Sequence, residues 1–155
     1  MELADILLEE SVLFCTDIKT KNSVLKRLAD QASKATGLPA EELFEALNDR
    51  ESLGSTGLGN GIAVPHGKIV GLKRVVAVFI KLATPVDFES VDDQPVDLVM
   101  MLLAPVGAGA DHLKALARVA RVLRTDSIAE NLRRANEPAR LYSILTQTLE
   151  ATKAA

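Results

Sequence analysis

Val75-Val76-Ala77-Val78-Phe79-Ile80-Lys81-Leu82 and Val96-Asp97-Leu98-Val99-Met100-Met101-Leu102-Leu103 are the two runs that decide the fold. Both are rich in Val, Ile, Leu and Met, and neither shows the regular polar alternation of a strand with one wet face. Strands that are apolar on both sides are covered on both sides, so these two imply a layered α/β domain. Each is far shorter than the ~20 residues that cross a bilayer, which excludes membrane insertion by these runs. Met100 and Met101 are strand and core residues on this reading.

The flanking segments supply the covering layers. Val12–Cys15 reads as a short strand. Thr20–Asn22 offer helix caps, Val24, Leu25, Leu28, Ala29 and Ala32 recur at helical spacing, and Gly37 closes that helix. Pro39, Glu41 and Glu42 open a second helix that turns Leu43, Phe44 and Leu47 inward and ends near Arg50. Ile62–Val64 is a short strand ending at Pro65-His66-Gly67-Lys68. Beyond the second long run, Asp111 is read as the cap of a helix whose apolar stripe is Leu113, Leu116, Ala117, Ala120 and Leu123. Asp126 or Ser127 begins another helix. Asn136 and Pro138 begin the last, with Leu141, Ile144 and Leu145 inside. The sum is helices on both faces of a small mixed sheet.

No linker or internal repeat interrupts residues 1–155, so one domain is expected, with its core over about 12–149. The net charge of −3 argues against nucleic-acid binding through bulk positive charge, and an aromatic content of 3% argues against a base-stacking platform. The single cysteine, Cys15, cannot form an internal disulfide and lies in an apolar run, as a buried small hydrophobe does. The N-terminus carries Glu2 and Asp5 where a signal peptide carries bases, so a cytoplasmic location is expected.

Few side chains here can do chemistry near neutral pH. There are two histidines and no cluster with metal-ligand spacing, so no metal is expected. His66 sits between Pro65 and Gly67, at a turn without a bulky neighbour on its C-terminal side. Taken alone it is either an ordinary turn histidine or a nucleophile. His112 falls in the first turn of its helix, where backbone N–H groups attract anions and disfavour an imidazolium. It is a phosphoryl-site group or a polar residue without a chemical role.

The loop Gly54-Ser55-Thr56-Gly57-Leu58-Gly59-Asn60-Gly61 holds four of the nine glycines, a density that rules out a regular helix. It matches neither the dinucleotide fingerprint nor the phosphate loop of NTPases. Its backbone is suited to an anion nest or simply to a tight turn, and Ser55, Thr56 and Asn60 are candidate donors. Arg50, just before it, is a phosphoryl grip or a helix-end charge. Arg118, Arg121 and Arg124 read as a solvated face, and Asp92-Asp93 as a turn.

The stretch Arg50-Glu51-Ser52-Leu53-Gly54-Ser55-Thr56-Gly57-Leu58-Gly59-Asn60-Gly61-Ile62-Ala63-Val64-Pro65-His66-Gly67 closely resembles the active-site signature of enzyme IIA of the fructose/mannitol class, in the phosphoenolpyruvate-dependent sugar phosphotransferase system. The length resembles its nitrogen-regulatory branch, and the likeness runs from Val12 to about Leu149. This resemblance implies a three-layer α/β/α sandwich with a mixed sheet, of the phosphotransferase/anion-transport-protein type. It implies that His66 is phosphorylated through Nε2, with His112 as supporting hydrogen-bond donor and Arg50 offsetting phosphoryl charge. Ser55, Thr56, Gly57 and Asn60 match the family's phosphoryl loop.

The donor it implies is an HPr-like phosphocarrier protein, charged by an enzyme I homologue, so no cofactor is expected. In the regulatory branch the phosphorylation state controls target proteins of the potassium-transport or sensor-kinase type. The alternative is a sugar-specific enzyme IIA subunit that hands the group to a IIB component of a transporter.

Overall fold

The computed structural model describes residues 1–147. Leu149, the expected end of the core, lies outside the described residues. A single 3-10 turn, Leu3–Asp5, leads into strand β1, Leu7–Cys15. Helix α1, Lys21–Thr36, starts where Thr20 accepts a hydrogen bond on its side chain from the Ser23 N–H at 3.1 Å. It stops at Gly37, whose φ of 77° suits glycine and lets its N–H reach the Ser33 carbonyl. Helix α2, Ala40–Ser52, follows Pro39, and its acids Glu41 and Glu42 sit in the first turn, complementing the helix dipole.

Three short strands come next: β2, Gly57–Gly59; β3, Ile62–Ala63; and β4, His66–Ile69. The two long strands are β5, Val76–Val86, and β6, Val96–Pro105. Helices α3, Gly109–Arg124, α4, Asp126–Arg134, and α5, Pro138–Thr146, complete the order.

The sheet runs β1-β5-β6-β3-β2, with β4 also paired to β6. β1 lies parallel to β5, β5 antiparallel to β6, and β3 and β4 both parallel to β6, so the sheet is mixed. The side-chain period of two then divides the core. Val78, Ile80, Val99, Met101 and Leu103 pack with α1 and α2. Phe79, Leu98, Met100 and Leu102 pack with α3, α4 and α5. The result is the expected α/β/α sandwich. Cys15 is buried as expected; burial pushes its thiol pKa up, with the Arg27 guanidinium 3.5 Å from Sγ opposing this in part.

Three sequence expectations are corrected. β4 is a strand where the sequence suggested only a strand end; it exists because residues 66–69 pair with Leu102–Pro105, a long-range partner. Helix α3 begins at Gly109 after Ala108, so Asp111 lies inside its first turn and is not its cap. The buried stripe is His112, Ala115, Val119, Val122 and Leu123, while Leu113 is 68% exposed and Ala117 is also exposed. A shift of one residue rotates a helix by ~100°, enough to move the apolar face from one set to the other.

The one charge inside the first long run has a structural use. Lys81 is 5% exposed, and its ammonium donates to the carbonyls of Arg133 (2.9 Å) and Ala135 (2.5 Å) and to Asn136 Oδ1 (2.9 Å). The Arg133 carbonyl is an orphan acceptor of the last turn of α4 and Ala135 is its C-cap, so the sheet caps that helix. Burial lowers the amine's pKa, and Asp97 pulls the other way.

Candidate functional site

His66 opens β4 directly after Pro65. Its ring Nδ1 lies 2.9 Å from the Val64 carbonyl. A carbonyl only accepts, so this bond is made by the tautomer that carries hydrogen on Nδ1, and the neutral ring then holds its free lone pair on Nε2. Val64 and Pro65 are themselves fixed: the Val64 N–H donates to the Thr56 carbonyl and the Leu102 N–H donates to that of Pro65. The nucleophile candidate therefore sits on backbone anchored to both the glycine loop and the central strand.

The His112 ring faces it edge-on, with centroids 5.6 Å apart and planes at 69°. His112 is 6% exposed, and its Nε2 has no hydrogen-bond partner among the described residues. Its own N–H is spent on the Ala108 carbonyl at 2.8 Å. The free donors of α3 are thus the N–H groups one to three residues earlier, Gly109 to Asp111. Burial lowers the His112 pKa, and His66 and Lys68 add to the effect.

The sign of the resulting linkage is fixed. The unfolded chain binds a proton at His112 below its ordinary value of 6.5 while the folded chain resists it. Stability from this group is complete above that pH and declines as pH falls toward the depressed folded value. Urea denaturation at pH 7, 6 and 5 should show that decline, and His112→Gln should flatten it. An equally steep decline in the variant would assign the effect to other groups.

Arg50, Leu53, His66, Lys68, His112 and Leu113 line one open cleft of about 680 Å³. Arg50 projects from the last turn of α2, and its Nη1 donates to the Gly54 carbonyl at 2.8 Å. No other hydrogen-bond partner engages its guanidinium fork among the described residues. Two cations, two imidazoles and a helix N-terminus surround the cleft against one carboxylate, Asp49, so the balance favours an anion there. Among the described residues no three His, Cys, Asp or Glu side chains group to hold a metal ion.

The loop residues divide. Ser55 and Thr56 line a smaller cavity of about 210 Å³ with Arg50 and His66. Their hydroxyls are committed elsewhere, Ser55 to the Phe88 carbonyl and Thr56 to the Glu51 carboxylate. Gly57 is required by crowding, since a Cβ there would lie 2.1 Å from Ser90 Oγ and 3.1 Å from its Cα. Asn60 lines neither cavity. It turns the β2–β3 hairpin at φ 57°, its N–H donating to Asp92 and its carbonyl accepting from Arg133.

Sequence reading missed Lys68, Leu53, Leu113 and Glu51. Lys68 had a signal, since in a strand it falls on the same face as His66 two residues before it. Leu53 entered only as part of the signature and Leu113 as a core residue, yet they are 84% and 68% exposed on the cleft rim.

The comparisons with known proteins bear on family and fold. Residues 5–148 match the family described as phosphoenolpyruvate-dependent sugar phosphotransferase system, EIIA 2. The nitrogen regulatory protein of Bradyrhizobium diazoefficiens is 47% identical over 145 residues, covering 94% of this chain and 95% of that protein. The nitrogen regulatory protein of Escherichia coli K12 is 40% identical over 149 residues, covering 96% and 91%. The crystal structure of nitrogen regulatory protein IIA-Ntr from Neisseria meningitidis superposes with a TM-score of 0.86 at 34% identity, over 93% of this chain and 99% of that one. With Arg50, Leu53, His66 and Gly67 of the signature lining one cleft and nearly the whole length shared, the chain belongs to the EIIA 2 family of the phosphoenolpyruvate-dependent sugar phosphotransferase system, similar to its nitrogen regulatory members.

Proposed function

We propose that this chain is a phosphoryl-accepting regulatory protein of the nitrogen phosphotransferase system. The observation that carries the reading is the Nδ1 bond of His66 to Val64, which leaves Nε2 as the free nucleophile in a cleft shared with Arg50 and His112. An HPr-like carrier presents its phosphohistidine to that nitrogen. The carrier's N–P bond breaks as the Nε2–P bond forms, and the electron pair of the broken bond returns to the carrier's ring. Catalysis of this kind is positioning and charge stabilisation. Arg50 and the N-terminal amides of α3 offset phosphoryl charge, and His112, kept neutral by burial, meets the group with its unpartnered Nε2 as hydrogen-bond donor. The donor is already activated, so the step needs no cofactor or metal. Leu53 and Leu113 give the cleft an apolar rim for a carrier to cover.

Phosphorylation then sets which regulatory targets bind, with potassium transport and sensor kinases the expected classes. The test is reconstitution. Phosphoenolpyruvate, an enzyme I homologue and the carrier together should add one acid-labile phosphoryl group. Co-purification of partners with wild type and with a His66→Asp variant tests the regulatory half. Loss of the group only when a IIB component and sugar are supplied would assign the chain to sugar transport instead.

Arg50→Ala should slow uptake by about 10²-fold, the scale of losing one charge-stabilising donor, while the domain stays folded. Single-turnover transfer from the phosphorylated carrier measures this, and an unchanged rate would remove Arg50 from the site.

A further inference from the structure

Glu51 follows Arg50 on α2 and is buried, with its side chain 4% exposed. Its carboxylate has three donors. Thr56 gives both its hydroxyl and its N–H, the latter at 3.3 Å, and the Lys21 ammonium lies 2.8 Å from Oε2. Lys21, from the first turn of α1, also reaches the Phe88 carbonyl at 3.5 Å and stands 5.0 Å over the Phe88 ring. That same carbonyl accepts the Ser55 hydroxyl. One ion pair, buried on its carboxylate side, thus ties α1, α2, the β5–β6 loop and the glycine loop together.

Two lines lead from it to the cleft. On one side Gly54, two residues before Thr56, holds the Arg50 guanidinium on its carbonyl, and the Gly54 N–H is closed onto the Glu51 carbonyl at 3.1 Å. On the other, the Thr56 carbonyl takes the Val64 N–H at 3.1 Å, and the Val64 carbonyl takes His66 Nδ1 at 2.9 Å. The loop posture that aims Arg50 and the bond that selects the His66 tautomer therefore share one anchor, Thr56 on Glu51.

We propose that Glu51, supported by Lys21 and acting through Thr56, is the positioning residue that sets both the His66 ring and the Arg50 guanidinium. The loop hydroxyls serve this anchoring and are not phosphoryl ligands. A buried carboxylate losing one donor leaves an unsatisfied group, so the anchor is a defined geometry and not a loose contact. Only the kinetic readout rests on the phosphoryl-transfer reading above.

The test uses Thr56→Val, which removes the hydroxyl at nearly constant shape, Thr56→Ser, which restores it, and Glu51→Gln as a second variant should Thr56→Val not fold. In the unphosphorylated protein, the ring nitrogen resonances of His66 and the Nε–H resonance of Arg50 should both move or broaden in Thr56→Val and Glu51→Gln, and return in Thr56→Ser. In single-turnover transfer, the maximal rate of Thr56→Val should fall about 10-fold while the half-saturating carrier concentration holds. Arg50→Ala/Thr56→Val should then lose less than the sum of its single changes, since part of the Thr56 effect runs through Arg50. Unmoved His66 and Arg50 resonances overturn the proposal whatever the rate does. A wild type that accepts no phosphoryl group defeats the functional reading, and the resonances still decide this one.

Discussion

A His66→Ala protein is expected to accept no phosphoryl group from the phosphorylated carrier, a loss on the order of 10³-fold or more, as for removal of any covalent nucleophile. The chain holds one other imidazole, His112, to which the proposed function gives the complementary part. It is buried, its pKa is held down by that burial, and its backbone is locked into α3. His66 is only half-buried and makes one side-chain hydrogen bond, so the substitution should cost about 1 kcal/mol of stability. Uptake and urea midpoint measured on the same sample separate the two effects. A label that survives in His66→Ala and disappears in His112→Ala would move the acceptor to α3.

The second large effect concerns stability alone. Lys81→Met removes a charged donor from three acceptors at the α4–α5 junction while keeping the length and apolar character of the stem. Hydrogen bonds to charged groups contribute more than neutral ones, and their loss here should cost about 2–4 kcal/mol. That is a large share of the 5–15 kcal/mol typical of a domain, so the melting temperature should drop by roughly 5–15 °C. Urea unfolding gives the number. A midpoint shift worth less than about 0.5 kcal/mol, by the same linear extrapolation, would mean that water satisfies those carbonyls as well as the lysine does.

The parts legible in sequence were those set by local chemistry. The Val75–Leu82 and Val96–Leu103 runs announced covered strands because no polar residue interrupts them regularly. Thr20 and Gly37 marked α1 because capping chemistry is local. The signature of residues 50–67 named the cleft residues Arg50 and His66. What stayed hidden was decided at a distance. Glu51 looks like one more acid on a helix, and only Lys21 and Thr56 make it a buried anchor. Lys81 is a lone charge in a strand until α4 arrives above it. Leu113 was misassigned to the core because an apolar cleft rim and an apolar core stripe use the same residues at the same spacing.

The two lateral margins of the sheet share a property with a consequence for the protein's life in solution. At one margin, β1 loses register with β5 between Leu7 and Val12, and Leu8, Glu9 and Glu10 stand exposed there. At the other, Val64-Pro65 separates β3 from β4, and β2 is three residues long. Among the described residues neither margin offers a long, flat row of unpaired amides to a second chain, which is how sheets template fibres and unwanted dimers. If the chain works as proposed, with the His66 ring meeting one partner after another, it gains from this. Encounters at the cleft can then be brief and reversible, because β4 beside it is only four residues long and gives a visitor little on which to zip.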